Sequence, residues 1–232
     1  MMCGRFVSTT SSLSLAKFFD VDFVEERLIE VAPRYNIAPT STIRVVLEQA
    51  ETRILTDCRW GLVPSWAKDK SVGVRMINAR SETLATKPSF RSAFARRRCI
   101  ITVDGFYEWK KPVGTQTNQP YFIFASSGEP LAFAGLWEEW KDTTQEPTAE
   151  SFLRTCTIIT TQANQKVSEL HDRMPVVLQP QNWEQWLSPL ERRVDALQEL
   201  LVPAPEDLLD FFAVSTEVNN ARNQGEQLLA PL

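Results

Sequence analysis

Five short segments, residues 99–103, 106–110, 121–125, 131–138 and 152–160, follow one another with only turn-type sequence between them, and each is rich in β-branched and aromatic side chains. Such side chains suit a pleated, half-buried surface, so the run predicts a series of antiparallel strands. The polar tips between them, at 114–118 and 142–150, read as surface loops. Ahead of this run the chain offers a short strand at 3–7, a helix at 13–19 capped from the Ser/Thr run at 8–12, a loop at 34–40 and a strand at 43–47. Residues 60–66 are aromatic and broken by Gly61 and Pro64, which reads as an edge or loop. Residues 76–83 lead into a helix, and 89–98 form a second one ending in three arginines. After the strands come helices at 164–170, 181–187 and 190–201 and a last strand at 211–216. No repeat, low-complexity tract or Pro/Gly/Ser linker interrupts the chain. The expectation is one α+β domain over residues 1–232, a curved antiparallel sheet or barrel-like core with peripheral helices.

Composition removes several classes of function. No apolar run is long enough to span a bilayer and no basic-then-apolar leader opens the chain, so no membrane association and a cytoplasmic location are expected. Cys3, Cys58, Cys99 and Cys156 form no CxxC pair, and His171 is the only histidine, so neither a metal nor another cofactor is expected. The net charge of −4 argues against nucleic acid until its distribution is read. Residues 59–111 hold 12 basic side chains against 4 acidic ones, while the rest of the chain holds 13 against 25. That local excess fits either a solvated basic face or an anion-binding surface.

Cys3 follows only methionines. Once exposed at a mature N-terminus, a cysteine carries an α-amine of pKa about 7.7–8.0 beside a thiol of pKa about 8.5. Such a 1,2-aminothiol condenses with aldehydes, first as a Schiff base and then as a five-membered thiazolidine. An ordinary buried cysteine is the bland alternative. Asn78 precedes a helix-like stretch and suits a cap as well as a site. Glu108, flanked by aromatics on a strand-like segment, is placed to have its carboxyl pKa raised by desolvation and to shuttle protons; pairing with Lys110 or Lys111 is the alternative. His171, followed by Asp172 and Arg173, has an orienting partner and a cation at hand, although lone histidines are often structural. Arg5, Arg80 and Arg173 suit phosphate, and Trp66 and Trp109 suit base stacking or core packing.

Six segments, MCGRF at 2–6, RYNIAP at 34–39, WGLVPSW at 60–66, INARSET at 77–83, DGFYEWKK at 104–111 and LHDRMP at 170–175, occur in an order and at spacings that closely resemble the SOS-response-associated peptidase (SRAP) family. Weaker similarity continues to VNNARNQG at 218–225. The resemblance implies two packed antiparallel sheets with peripheral helices and a channel for single-stranded DNA ending near a duplex junction. It implies that Cys3 captures the ring-opened aldehyde of an abasic site as a thiazolidine, protecting the lesion during the DNA damage response. Asn78 would hold the sugar and the N-terminal residue, Glu108 would move protons, and His171 would promote ring opening or β-elimination. Arg5, Arg80 and Arg173 would contact phosphates, while Trp66, Trp109 and Pro39 would line the bent strand. A monomer acting on DNA, nucleoid-associated in a bacterium, completes the implied picture, and the family name adds an autopeptidase activity that exposes the cysteine. The family begins Met-Cys, whereas this chain begins Met1-Met2-Cys3, which implies a start at Met2 or a second processing step.

Two other readings stand beside this one. Class II glutaminases also open with Cys-Gly and use the α-amine as base, so an N-terminal-nucleophile amidohydrolase is a rival, although no further segment of that kind is present. A noncovalent reader of modified DNA would bind reversibly and without need of Cys3.

Overall fold

The computed structural model describes residues 3–111, 114, 117–142 and 151–232. Of the loop tips expected at 114–118 and 142–150, residues 115–116 and 143–150 lie outside the described residues, as does the Met1-Met2 segment. Five strands close on themselves: β4 (Thr42–Gln49), β5 (Thr52–Trp60), β7 (Arg98–Val103), β10 (Leu131–Lys141) and β11 (Phe152–Gln162). The order is β5-β4-β7-β10-β11, and the ring shuts where β11 runs parallel to β5, with Thr155 beside Arg59 and Cys156 beside Trp60. Closure leaves few free edges, and the two short strands β2 (Phe23–Val24) and β6 (Asn78–Arg80) pair in parallel with β5 and β11. The expected curved, barrel-like α+β core is therefore present, but three of its pairings are parallel rather than antiparallel.

Alternation along these strands explains how both faces are buried. Val45, Leu47, Cys58, Cys99, Ile101 and Phe133 pack into one core, whereas Val46, Leu55, Ile100, Ala132 and Ala134 pack into another. The second core is capped by α1 (Ser12–Phe18), α2 (Arg91–Arg96), α4 (Trp183–Leu187) and α5 (Val194–Glu199), through Leu15, Phe94, Trp186 and Leu197. On β10, a methyl at Gly135 would sit 2.9 Å from Cys99 Sγ and 2.9 Å from Ile101 Cδ1, so the ring is packed to contact there.

A second sheet has the order β13-β9-β8-β1-β3, formed by β13 (Leu209–Ala213), β9 (Gln119–Ala125), β8 (Gly105–Lys110), β1 (Phe6–Ser8) and β3 (Arg34–Ile37). Phe6, Ile37, Phe106 and Ile123 from this sheet join the same core as the barrel's Trp60 and Phe133. The rings of Phe6 and Trp60 lie 5.1 Å apart.

Several local expectations are corrected. The 34–37 stretch is a strand, because β1 pairs with it at Phe6↔Ile37 and Ser8↔Arg34. The 76–83 stretch does not lead into a helix: Asn78–Arg80 is a strand against β11, and only a 3₁₀ turn, Ser81–Thr83, follows. Helix α2 stops at Arg96, since Arg98 already opens β7. Trp60 is fully buried and donates through Nε1 to the Ile77 carbonyl at 2.9 Å, so the segment expected at an edge begins inside the core. Gly61 follows with φ of 121°, and a methyl there would meet the Gly73 carbonyl oxygen at 2.5 Å. That glycine is needed for both reasons.

Candidate functional site

Glu108 lies on β8 between Tyr107 and Trp109, and the pairing of β8 with β1 brings the start of the chain across to it. The backbone amide of Tyr107 donates to the Arg5 carbonyl at 2.9 Å, and Phe6 stands opposite Phe106. Two residues before Arg5, the backbone nitrogen of Cys3 donates to Glu108 Oε1 at 2.6 Å. Both residues are buried, with Cys3 at 0% and Glu108 at 2% exposure. Burial pushes the Glu108 carboxyl up to about 7, against the opposing pull of the Cys3 hydrogen bond, and the negative charge of Asp172 adds to the rise. Burial, and then the Glu108 charge, hold the Cys3 thiol well above its ordinary value. Cys3 has a φ of 38°, in the left-handed region that a side chain at Cβ disfavours.

A cleft of about 400 Å³ gathers four of the expected residues, Asn78, Arg80, His171 and Arg173. Asn78 and Arg80 come from β6, Arg173 from β12 (Arg173–Pro175), and His171 from the turn after α3 (Gln165–Ser168), so β11 carries both neighbours of the cleft. His171 Nδ1 is 2.8 Å from Asp172 Oδ1 and also accepts from the Arg173 amide at 3.2 Å. One nitrogen cannot serve both: with a proton on Nδ1 it donates to Asp172, and without one it accepts from the Arg173 amide. Arg173 forks onto Glu82 at 2.5 and 3.0 Å and onto the Thr160 carbonyl at 2.7 Å. That pair holds the Glu82 carboxyl below its usual range, with Arg80 adding to the effect. Arg80 itself is exposed.

A wider cleft, about 820 Å³, is lined by Arg5 and Trp109 together with Thr216 and Asn219. The Arg5 guanidinium lies 5.9 Å from the Trp109 ring centre and donates to Asn36 Oδ1 at 2.8 Å and to the Val218 carbonyl at 3.0 Å. Trp109 Nε1 donates to Asn219 Oδ1 at 2.7 Å. Asn36 in turn donates to the carbonyls of Val218, Asn220 and Asn223, at 3.1–3.2 Å. Trp66 is 64% exposed and Pro39 half-buried, and neither lines either cleft.

Sequence reasoning passed over Asn36, Glu82 and Asn219. Each sits inside a segment singled out for its resemblance, and an Asn or Glu beside an Arg or Trp of such a segment is the signal that would have found it. Among the described residues no group of three or more His, Cys, Asp and Glu side chains could hold a metal ion, and no helix is long and apolar enough to cross a membrane.

Residues 2–221 match the family model described as SOS response associated peptidase (SRAP). The abasic site processing protein YoqW of Bacillus subtilis (strain 168) is 42% identical over 229 residues, covering 98% of this chain and 99% of that one. The abasic site processing protein YedK of Escherichia coli (strain K12) is 31% identical over 237 residues, with both chains covered completely. The crystal structure of a protein from Bacteroides thetaiotaomicron superposes with a TM-score of 0.86 at 22% identity, over 99% of this chain and 100% of that one, a likeness of fold.

Proposed function

The chain belongs to the SOS response associated peptidase (SRAP) family, and from that membership we propose that it processes abasic sites, binding single-stranded DNA and capturing the lesion covalently through Cys3. The observation that carries this reading is the 2.6 Å contact between the Cys3 nitrogen and a Glu108 carboxyl held near neutrality. When the residues ahead of Cys3 are removed, that amide nitrogen becomes an α-amine already beside its proton carrier, and the two groups titrate as a pair. The amine adds to the aldehyde carbon of the ring-opened deoxyribose, and the oxygen takes a proton from Glu108. Loss of water gives a Schiff base. The Cys3 sulfur then adds to the same carbon, the nitrogen takes a proton, and a thiazolidine closes with one water released overall and no oxidant.

The φ of Cys3 supports a cleavage step that exposes the amine. φ is a torsion defined through the peptide bond before Cys3, so hydrolysis of that bond frees it. In this reading Asn78 orients the sugar and His171 assists ring opening in the smaller cleft. Arg80 and Arg5 contact phosphate, and Arg173 acts with Glu82 and Arg80 as a triad of net charge +1. Trp109, Trp66 and Pro39 line the strand. Residues 1–232 act as one monomeric domain, in the cytoplasm.

The test combines intact mass with a denaturing gel after incubation with single-stranded DNA bearing one abasic site. A mass beginning at Cys3 and a heat-stable shifted band, absent in Cys3→Ala, are expected. A free Cys3 without a band overturns covalent capture, and salt-reversible binding that survives Cys3→Ala in its place makes the protein a noncovalent reader.

A further inference from the structure

At the far end of β1 from Cys3, where Ser8 pairs with Arg34, a separate cavity of about 230 Å³ opens between β1, β3 and β4. Arg44 projects into its wall from β4 and is only 6% exposed, yet its guanidinium meets hydroxyls rather than a carboxylate: NH2 donates to Ser8 Oγ at 2.7 Å and NH1 to Ser12 Oγ at 3.2 Å. The Ser12 hydroxyl spends its proton on the Leu28 carbonyl, at 2.5 Å. Ser8 keeps its own proton for a further acceptor. Arg34, half-buried on the same wall, donates to the Thr42 carbonyl at 2.7 Å. Among the described residues neither Arg34 nor Arg44 forms an ion pair, whereas Arg27 beside them is satisfied by Asp57 at 2.9 Å and Glu25 at 2.5 Å. Asp57 also lines the cavity and stands opposite Arg44 across β4 and β5, but it is paired with Arg27; the negative charge that acts on Arg44 is that of Asp104, whose oxygens are already taken by Thr9 and Thr10.

Two buried or half-buried cations facing one cavity repel each other, and each has lost water; desolvation and then, for Arg44, the charge of Arg34 lower their proton affinity. Such an arrangement is costly unless an anion completes it. We infer that the cavity between Ser8, Arg34 and Arg44 binds a small phosphate-type oxyanion, with the Ser8 hydroxyl and the two guanidinia as its donors. Guanidinium forks match the paired oxygens of phosphate, and Ile37 and Ile43 give the ligand a short apolar wall. This site is independent of Cys3 and of abasic-site capture.

The test is thermal unfolding of the whole protein in rising inorganic phosphate at fixed ionic strength. Wild type should show an increase in Tm that grows with the logarithm of phosphate concentration above Kd, about 5–10 °C at phosphate a hundredfold above Kd. Arg44→Met and Arg34→Met should each remove the response, and Arg34→Met, at a half-buried position, keeps the test decisive if Arg44→Met fails to fold. Arg80→Ala, on the proposed DNA face, should keep it. No increase in wild type, an unchanged response in the folded Arg34 and Arg44 variants, or one lost in Arg80→Ala would overturn the inference. Unmodified single-stranded DNA in place of phosphate separates the sources: an Arg44-dependent shift assigns the oxyanion to a nucleic-acid backbone, and its absence assigns a free phosphate. Abasic-site crosslinking at wild-type level in Arg34→Met would separate this site from capture, so either reading can fail alone.

Discussion

The closed barrel and the open sheet each bury cysteine, with opposite consequences. Cys58, Cys99 and Cys156 are sealed inside the ring among Val45, Ile101 and Phe133, and burial raises the Cys99 and Cys156 thiols. Cys3 is equally buried at the mouth of the open sheet, and its thiol is raised too. Burial and a suppressed thiolate therefore do not distinguish a nucleophile from a packing residue. What separates the two regions is the partner: the barrel thiols have one another, whereas Cys3 has a carboxyl able to carry protons on its nitrogen. In the proposed capture, the advantage of this position lies in the nitrogen first and the sulfur second.

The sharpest way to break that contrast is to remove one sulfur from each region. Cys3→Ser should take the heat-stable abasic-site adduct to background, since the weaker oxygen nucleophile cannot lock the Schiff base. Cys156→Ala should leave adduct yield per folded molecule unchanged and cost about 1–2 kcal/mol in urea unfolding. Equal loss of adduct in both would erase the distinction. Glu108→Gln keeps an acceptor for the Cys3 nitrogen but cannot move a proton, so adduct formation should slow about 100-fold in single-turnover gels. The same variant reports on stability. A carboxyl pushed up to about 7 favours the folded chain most at low pH, and that contribution is lost as pH rises from its ordinary value through about 7. In protein retaining the residues before Cys3, wild type should lose urea stability across that window, and Glu108→Gln should show a flatter profile.

Arg80 sharpens the comparison from outside the ring, because β6 hangs on the barrel but presents this exposed side chain to the cleft. Arg80→Ala should weaken binding to single-stranded DNA about tenfold, irrespective of sequence, and reduce the salt slope by about one. A loss confined to adduct formation, with binding and salt slope intact, would move Arg80 from phosphate contact to the chemistry.

The strands from 99 onward were legible because β-branched and aromatic runs between turn residues have few other uses, and β7, β8, β9, β10 and β11 all appear within a few residues of expectation. The nine-residue β5 was not legible: Thr52, Arg53, Asp57 and Arg59 interrupt its apolar pattern, and it is stabilised by pairing with β4 along its length and by closure against β11. Parallel closure of this kind is set by contacts about a hundred residues apart, which no local pattern encodes. For the site, residue chemistry and family motifs together singled out Cys3, Asn78, Glu108 and His171. The Cys3–Glu108 contact itself depends on β1 lying antiparallel to β8, a fact of topology.

The smallest expected effect tests the part of the open sheet that sequence reasoning left without a role. Asn219 belongs to the C-terminal segment that Asn36 ties to β3, and it accepts the Trp109 indole proton while Arg5 lies over the same ring. A tryptophan held at both its polar atom and its face is preorganised for stacking, so releasing one hold costs orientation rather than contact area. Asn219→Ala removes one hydrogen bond, about 1 kcal/mol, and should weaken single-stranded DNA binding about fivefold. At saturating abasic-site DNA the rate of adduct formation should be unchanged, because the substitution leaves the Cys3–Glu108 contact in place. A slower rate at saturation would instead mean that the C-terminal segment positions β8 itself, and the division between a binding cleft around Trp109 and a reactive pair at Cys3 would have to be redrawn.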